Sequence, residues 1–143
     1  MRLTTLVSVV AVTSALLIGT AVAFAAYISG TDGPDRLVGT SEPDRISGAG
    51  GDDVILGKTD RDRLNGDSAS DHIFGGQGQD RIFADTGERD VLRGGDNDDY
   101  LNTDDDRSGD LARGGAGFDV CDVDRPAGPT SATDSRRGCE RLE

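Results

Sequence analysis

Residues 75–83 read Gly75-Gly76-Gln77-Gly78-Gln79-Asp80-Arg81-Ile82-Phe83, and this nine-residue unit recurs along most of the chain. Its aspartate returns first at intervals of nine residues and later at intervals of nine to eleven. The repeat aspartates are Asp35, Asp44, Asp53, Asp62, Asp71, Asp80, Asp90, Asp99, Asp110 and Asp119. A glycine stands five residues before most of them. A short fixed period of this kind is typical of solenoid proteins, in which each repeat packs only on its neighbours.

The composition of the repeat predicts a turn followed by a short strand. Six residues rich in Gly, Asp and Asn form the turn, because glycine adopts positive φ without steric cost. The next three residues form a strand whose central side chain faces inward. Two such units bring the chain full circle, so equivalent strands stack as parallel ladders about 4.8 Å apart. The predicted inward residues are Leu37, Ile46, Ile55, Leu64, Ile73, Ile82, Leu92, Leu101, Ala112 and Cys121.

The pattern Gly-Gly-x-Gly-x-Asp-x-apolar-x resembles the repeat of RTX, or haemolysin-type, calcium-binding proteins. Residues 75–83 match it at every position, and residues 114–121 match it with Cys121 in the apolar position. The resemblance covers about residues 30–122. It implies an all-β fold, a right-handed parallel β-roll with two repeats per coil, and calcium as the bound cofactor.

The charge balance agrees with a protein that binds cations. The chain has 143 residues, 27 Asp and Glu against 15 Lys and Arg, and a formal net charge of −12. This excess argues against nucleic acid as a partner, because proteins that bind nucleic acid carry a basic surface. One inward side chain per repeat makes a thin core, so the roll needs an additional stabilising element. Calcium suits the carboxylate and carbonyl oxygens that the turns offer.

In the family that the repeat resembles, a calcium ion bridges the Asp of one repeat and the Asp of the repeat after next. Backbone carbonyls of the glycine-rich turns supply the other oxygens. Applied here, the resemblance implies sites at Asp35 with Asp53, Asp80 with Asp99, and Asp99 with Asp119. Asp53 with Asp71 and Asp62 with Asp80 are weaker candidates. The turn glycines expected to contribute backbone oxygens are Gly30, Gly33, Gly48, Gly51, Gly75, Gly78, Gly94, Gly114 and Gly117.

This ranking depends on the residue two positions before each repeat Asp, where a glycine with positive φ is expected. Alternate repeats line opposite edges of the roll. On the odd edge this position holds Gly33, Gly51, Ala69, Glu88 and Ser108 in chain order. On the even edge it holds Glu42, Asp60, Gly78, Asn97 and Gly117. We therefore expect competent turns early on the odd edge and late on the even edge. In the other turns, the alternative to a bound calcium ion is a hydrogen bond between the Asp side chain and its own backbone.

Residues 1–25 are typical of a secretory signal peptide. Arg2 supplies the positive start, residues 6–18 are mostly apolar, and Ala21-Val22-Ala23 offers a small-x-small cleavage site. The alternative is an uncleaved membrane anchor, because residues 3–28 carry no charge. The predicted organisation is a signal peptide over 1–25, a calcium-binding β-roll over 26–122, and a cap over 123–143. Both readings of the N-terminus place the roll outside the cytoplasm.

The chain has two cysteines, and an oxidising compartment favours a Cys121–Cys139 disulfide over unpaired or intermolecular cysteines. Pro126, Gly128 and Pro129 indicate that the tail after residue 122 is a loop. Since Cys121 occupies an inward position, the disulfide would hold this tail over the open end of the roll. Solenoids need such caps to protect their terminal edge.

No set of residues in the sequence points to catalysis. His72 is the only histidine and has no cysteine nearby, which makes a zinc site improbable, and the repeat itself explains the paired carboxylates. Arg45, Arg63 and Arg81 are expected to stack on one sheet, either as a solvated face or as a docking surface for an acidic glycan or envelope polymer. We therefore expect a non-catalytic, monomeric, secreted protein that folds on extracellular calcium. The alternative is a surface or matrix interaction module.

Overall fold

A computed structural model describes residues 25–87, 89–103, 109–123 and 135–140. The predicted signal peptide falls almost wholly on residues 1–24 and so lies outside the described residues, as do Glu88 and Ser108. None of the described residues belongs to a helix long and apolar enough to cross a membrane.

The described chain is all-β and forms a parallel β-roll, as predicted. Its strands are β1 Tyr27–Ser29, β2 Arg36–Val38, β3 Arg45–Ser47, β4 Val54–Thr59, β5 Arg63–Ser68, β6 His72–Gln77, β7 Arg81–Thr86, β8 Val91–Asp96, β9 Tyr100–Thr103, β10 Leu111–Ala116, β11 Val120–Val123 and β12 Ser135–Arg137. They form two six-stranded sheets, one in the order β1-β3-β5-β7-β9-β11 and the other in the order β12-β10-β8-β6-β4-β2. Successive strands alternate between the sheets, so each turn carries the chain across one edge of the roll.

Strand register follows the repeat. Ile55 pairs with Ile73 and Ile73 with Leu92, so the inward residues of one sheet lie in a single column. The longer repeats do not disturb this column, because the extra residues lie in the turns before Asp90 and Asp110. The ladder also includes backbone bonds at the edges, such as the one from the amide of Arg63 to the carbonyl oxygen of Asp44 (2.9 Å).

The core consists of the predicted inward side chains. All ten are buried between the sheets, together with Ala84. The glycine two positions after an inward apolar residue, such as Gly57 after Ile55, also lies buried on the inner side of its strand. Because glycine has no side chain, space remains at this position, and the carboxylate of a repeat aspartate lies in it.

Two elements lie outside the regular repeat. β1 begins the first sheet before the first repeat aspartate. The tail that was predicted to be a loop contains β12, which pairs in parallel with β10 and extends the second sheet by one strand.

Candidate metal centre

The repeat aspartates form two columns, one along each edge of the roll. Within a column, Oδ1 of each aspartate after the first accepts a hydrogen bond from the backbone amide of the aspartate one coil earlier. The donor and acceptor pairs are Asp35–Asp53 (2.8 Å), Asp53–Asp71 (2.9 Å), Asp71–Asp90 (2.7 Å) and Asp90–Asp110 (2.7 Å) on the odd edge, and Asp44–Asp62 (2.8 Å), Asp62–Asp80 (2.9 Å), Asp80–Asp99 (2.8 Å) and Asp99–Asp119 (3.0 Å) on the even edge. The structure thus brings together every pair that the sequence nominated, both strong and weak.

The second carboxylate oxygen has a different environment. In several repeats Oδ2 is buried and accepts no hydrogen bond from the protein. These aspartates are Asp53, Asp62, Asp71, Asp80, Asp99 and Asp119. A buried acceptor without a partner costs about 1–3 kcal/mol, and more when it is charged. A column of such oxygens therefore calls for a positively charged partner.

Each of these oxygens faces a glycine and, in most repeats, a carbonyl oxygen of the next coil. A Cβ placed on Gly75 would lie closer than 3.0 Å both to Oδ2 of Asp80 and to the carbonyl oxygen of Gly94. We call this arrangement a cradle: a glycine whose missing side chain leaves space for a bare Oδ2 and a glycine carbonyl oxygen from the next coil. The cradles are Gly48/Asp53/Gly66, Gly57/Asp62/Gly75, Gly75/Asp80/Gly94, Gly94/Asp99/Gly114 and Gly114/Asp119/Gly138.

The electrostatics of the cradles favour a cation. The pKa of Asp62 is raised from 3.8 to about 7, mainly by burial away from water and in addition by the carboxylates of Asp80 and Asp44, against the lowering effect of the backbone hydrogen bond. Burial is also the main cause that raises the pKa of the other bare aspartates, to about 6 for Asp53 and Asp80 and to about 7 for Asp71 and Asp99, and it raises the pKa of Asp119 as well. A metal-free cradle therefore holds its carboxylate against a desolvation cost that a bound cation would offset.

The first aspartate of each column lacks a bare oxygen. Oδ2 of Asp35 accepts hydrogen bonds from the amide (2.6 Å) and the hydroxyl (2.9 Å) of Thr31. Oδ2 of Asp44 accepts the equivalent pair from the amide (2.5 Å) and hydroxyl (3.1 Å) of Thr40. A threonine four residues before the repeat Asp thus closes the first turn on each edge with protein donors. The calcium role expected for Asp35 stays a prediction.

At the position two residues before each repeat Asp, positive φ does not coincide with glycine as the sequence predicted. Gly33 was expected to need it, but its φ is not in the left-handed region and no atom lies within 4 Å of a Cβ placed there. Asp60 and Ala69 were expected to weaken their turns, yet both adopt positive φ, at 75° and 86°. The Asp60 carboxylate accepts a hydrogen bond from the amide of Arg61 (2.8 Å), which supports its conformation. Gly51, Gly78, Asn97 and Gly117 have positive φ, as predicted.

Asp62, which the sequence ranked as a weaker candidate, lies in a cradle with the same three components as that of Asp80. The signal that identifies it is the column of glycines on the even edge, which continues without interruption through every coil. This column consists of Gly39, Gly57, Gly75, Gly94, Gly114 and Gly138.

The corresponding column on the odd edge is interrupted. It begins with Gly30, Gly48 and Gly66, but by strand register Ala84 and Thr103 occupy the next two places. Both are fully buried, so their side chains fill the space that a glycine leaves open. The glycine column is therefore continuous on the even edge and is interrupted only on the odd edge, after Gly66.

Other turn glycines are required by close backbone packing. A Cβ on Gly76 would lie closer than 3.0 Å to the carbonyl oxygen of Lys58, and one on Gly78 closer than 3.0 Å to that of Asp60. Gly95, Gly115 and Gly117 meet the carbonyl oxygens of the preceding coil in the same way. Stacked even-edge turns therefore place backbone carbonyl oxygens of one coil against the glycines of the next, so the edge carries carbonyl oxygens as well as carboxylates.

The donor set is characteristic of a hard cation. Among the described residues, no three His, Cys, Asp or Glu side chains gather into a group that could hold a metal ion. The metal-ligating atoms on offer are single carboxylate oxygens surrounded by backbone carbonyls. Calcium accepts six to eight oxygens in flexible geometry, whereas zinc prefers four nitrogen or sulfur ligands. The residues present therefore fit calcium.

The predicted arginine stripe is present on the first sheet. Arg45 pairs with Arg63 and Arg63 with Arg81, and all three side chains are exposed. The Arg63 guanidinium lies over the ring of Phe83, 4.6 Å from its centroid, which gives it a structural contact. The docking role considered for this stripe stays a prediction.

Filling a cradle tests its geometry directly. We expect Gly75→Ala to lower the free energy of unfolding by about 1–3 kcal/mol, because the new methyl group overlaps the Asp80 carboxylate and the Gly94 backbone. Gly33→Ala is the matched control, since a Cβ there meets open space. Thermal unfolding in calcium measures both variants. Equal stability of the two would contradict the cradle geometry.

The predicted disulfide is present between Cys121 and Cys139, whose Cα atoms are 5.6 Å apart. Cys121 is buried at the end of the core column, and Cys139 packs partly against the core. The bond therefore ties the tail to the last coil.

Comparison with known proteins agrees with this geometry. No curated protein and no solved structure matches the chain. The model of one family does match, that of the RTX calcium-binding nonapeptide repeat in four copies, over residues 29–64, 56–88 and 86–108. These matches together span residues 29–108, which is more than half of the chain. RTX nonapeptide repeats bind calcium. The chain belongs to the family of RTX calcium-binding nonapeptide repeat proteins.

Proposed function

We propose that calcium ions occupy the five cradles and that the protein folds into its roll when it meets extracellular calcium. The observation that carries this proposal is the buried Oδ2 of Asp53, Asp62, Asp80, Asp99 and Asp119, which has no protein partner and faces a glycine carbonyl of the next coil. Bound calcium would neutralise these carboxylates and join the two coils that contribute to each cradle. The affinity for calcium then becomes folding energy.

Calcium suits these cradles better than magnesium does. Magnesium demands near-octahedral geometry and retains several waters, whereas calcium accepts many protein oxygens at irregular angles. A cradle formed by backbone carbonyls of two stacked turns supplies oxygens without fixed octahedral geometry. Selectivity for calcium therefore follows from the donor type and from the density of carbonyls along the even edge.

The protein acts through its structure and not through catalysis. The repeats of this family are structural, and they are typical of extracellular proteins. The repeat accounts for the buried aspartates of the described residues as ladder and cradle groups. A signal peptide over residues 1–25 would deliver the chain to a compartment with enough calcium to fold it and with the oxidising conditions that the disulfide needs.

Asp99→Asn tests the proposal, with Asp44→Asn as its control. In Asp99→Asn the amide oxygen can still accept the bond from the Asp80 backbone, but the amide nitrogen would face the cradle and cannot bind a cation. We expect one calcium ion fewer per chain by equilibrium dialysis, and lower stability in calcium. Asp44→Asn keeps the calcium count, because Thr40 already satisfies Oδ2 of Asp44.

The same variant should have the opposite effect in a chelator. Without calcium, the Asp99→Asn chain buries one uncompensated charge fewer when it folds, so we expect it to keep more β circular dichroism signal than the wild type does in chelator at neutral pH. An unchanged calcium count, or the same loss in both variants, would refute the assignment of ions to bare Oδ2 atoms.

A further inference from the structure

The tail after residue 134 returns to the roll and continues both of its ladders. β12 pairs with β10, with Arg137 beside Arg113. The amide of Glu140 then donates to the carbonyl oxygen of Asp119 (2.6 Å). This bond is equivalent to the one from Val120 to Asp99 one coil earlier (2.8 Å). The tail thus begins an additional coil on the C-terminal end of the roll.

This additional coil crosses the even edge by a short cut. By register Gly138 lies beside Gly114, and Glu140 pairs with Val120. The chain needs six residues to pass from 114 to 120, but only two to pass from 138 to 140. No glycine-rich turn with its own aspartate fits in that step, and Cys139 occupies it. The carboxylate column therefore ends at Asp119.

The cradle of Asp119 is nevertheless complete. A Cβ on Gly114 would lie closer than 3.0 Å to Oδ2 of Asp119 and to the carbonyl oxygen of Gly138. In the cradle below, the carbonyl oxygen of Gly114 holds this position beside Asp99. Gly138 has a positive φ of 64°. A residue outside the nonapeptide pattern thus presents the oxygen that a further repeat would have supplied.

The residue next to Gly138 is anchored to the core. Cys139 is bonded to Cys121, which is 2% exposed in the last inward position of the first sheet. The disulfide therefore fixes the backbone of Gly138 over Asp119 although residues 139 and 121 are 18 positions apart in the chain.

We propose that the Gly138 carbonyl is a calcium ligand at Asp119 and that the Cys121–Cys139 disulfide holds it there, so that the last calcium site depends on oxidation. This inference rests on the proposed function, since it needs calcium in the Asp119 cradle. Breaking the disulfide frees the tail and removes one oxygen from this cradle, while the cradles of Asp62, Asp80 and Asp99 keep ligands supplied by the repeats themselves.

The experiment compares calcium binding by the purified protein and by a Cys121→Ala/Cys139→Ala variant, using isothermal titration calorimetry and equilibrium dialysis. Alanine suits the inward position, because Ala112 fills the equivalent place one repeat earlier. We expect one class of site to weaken about 10–100-fold, as when a group that orients a metal ligand is lost. The other sites and the circular dichroism spectrum in calcium should be unchanged.

A second background distinguishes a lost ligand from general fraying of the end. In Asp119→Asn the last site is already absent, so removing the cysteines should leave the calcium count as it is. A further loss in that background would overturn the inference, and so would unchanged affinity in the cysteine variant alone. Absence of calcium binding by the wild type would instead overturn the proposed function.

Gly138→Val provides a test that leaves the disulfide intact and applies even if the cysteine variant does not fold. A β-branched residue rarely adopts positive φ, so the carbonyl should turn away from Asp119. A Cβ there meets only ordinary contacts, 3.5 Å from the Gly115 amide nitrogen, so the Cβ itself causes no steric overlap. We expect the same weakening of one site, and unchanged binding would overturn the inference.

Discussion

Removing calcium at neutral pH is expected to unfold the roll in the chain of residues 26–143. The core holds one inward side chain per repeat, while the two edges bury carboxylates whose Oδ2 atoms have no protein partner, those of Asp53, Asp62, Asp71, Asp80, Asp99 and Asp119. Breaking a buried charge pair by removing one partner typically costs about 3–5 kcal/mol. Several such losses together are comparable with the whole stability of a small domain, which is about 5–15 kcal/mol.

Circular dichroism measures this effect during a calcium titration that starts in chelator. We expect a spectrum without β structure at the start and a cooperative gain of β signal as calcium is added. Magnesium at the same concentration is the control and should leave most of the chain unfolded. A full β spectrum in chelator at neutral pH would show that the roll does not need calcium to fold.

Low pH is expected to provide part of the stabilisation of the roll that calcium provides at neutral pH. Burial raises the pKa of Asp62, Asp71 and Asp99 in the folded, metal-free chain to about 7, against 3.8 for an unperturbed aspartate. A pKa raised by folding means that the folded state binds protons more tightly than the unfolded state does. The resulting stability is fully present below about pH 3.8 and is lost as pH rises through 6 to 7. The metal-free roll should therefore be more stable at pH 4 to 5 than at pH 8.

Thermal unfolding in calcium-depleted buffer across this pH range measures the effect. Calcium-loaded protein should show the opposite trend, because protons compete with calcium for the same oxygens. Screening by concentrated salt at neutral pH is the control for repulsion among exposed acidic residues. If salt alone restored the fold as well as acid does, surface repulsion would explain the effect and the buried carboxylates would not.

Local patterns in the sequence predicted most of the fold. The spacing of the aspartates predicted which residues point inward, from Leu37 to Cys121, and the structure buries all of them. The same nine-residue period predicted the arginine stripe and the residue near which the repeats end. These features depend on which residue stands at which place in a nine-residue unit, and the unit is visible without any knowledge of its neighbours.

The ranking of individual turns was less successful, because it rested on one backbone position. Asp60 and Ala69 adopt positive φ although neither is glycine. In a stacked roll the hydrogen bonds of the adjacent coils impose the turn conformation, and a residue with a modest intrinsic penalty accepts it. Gly33 shows the converse, since its turn is closed by Thr31 and does not use the freedom of glycine.

The nine-residue repeat by itself determined the fold, the direction of every inward side chain, and calcium as the ligand. Only the tertiary structure decided which aspartates keep a bare oxygen, because a cradle is assembled from atoms about 18 residues apart. Thr31 donates a hydrogen bond to Oδ2 of Asp35 from within the same turn, and the buried Ala84 side chain occupies a place that glycine holds in the earlier coils. Gly138, which lies outside the repeat, supplies the carbonyl oxygen of the last cradle. The sequence of a repeat shows which groups that repeat can contribute to a cradle. The contacts of each carboxylate oxygen also depend on the residues of the adjacent coil.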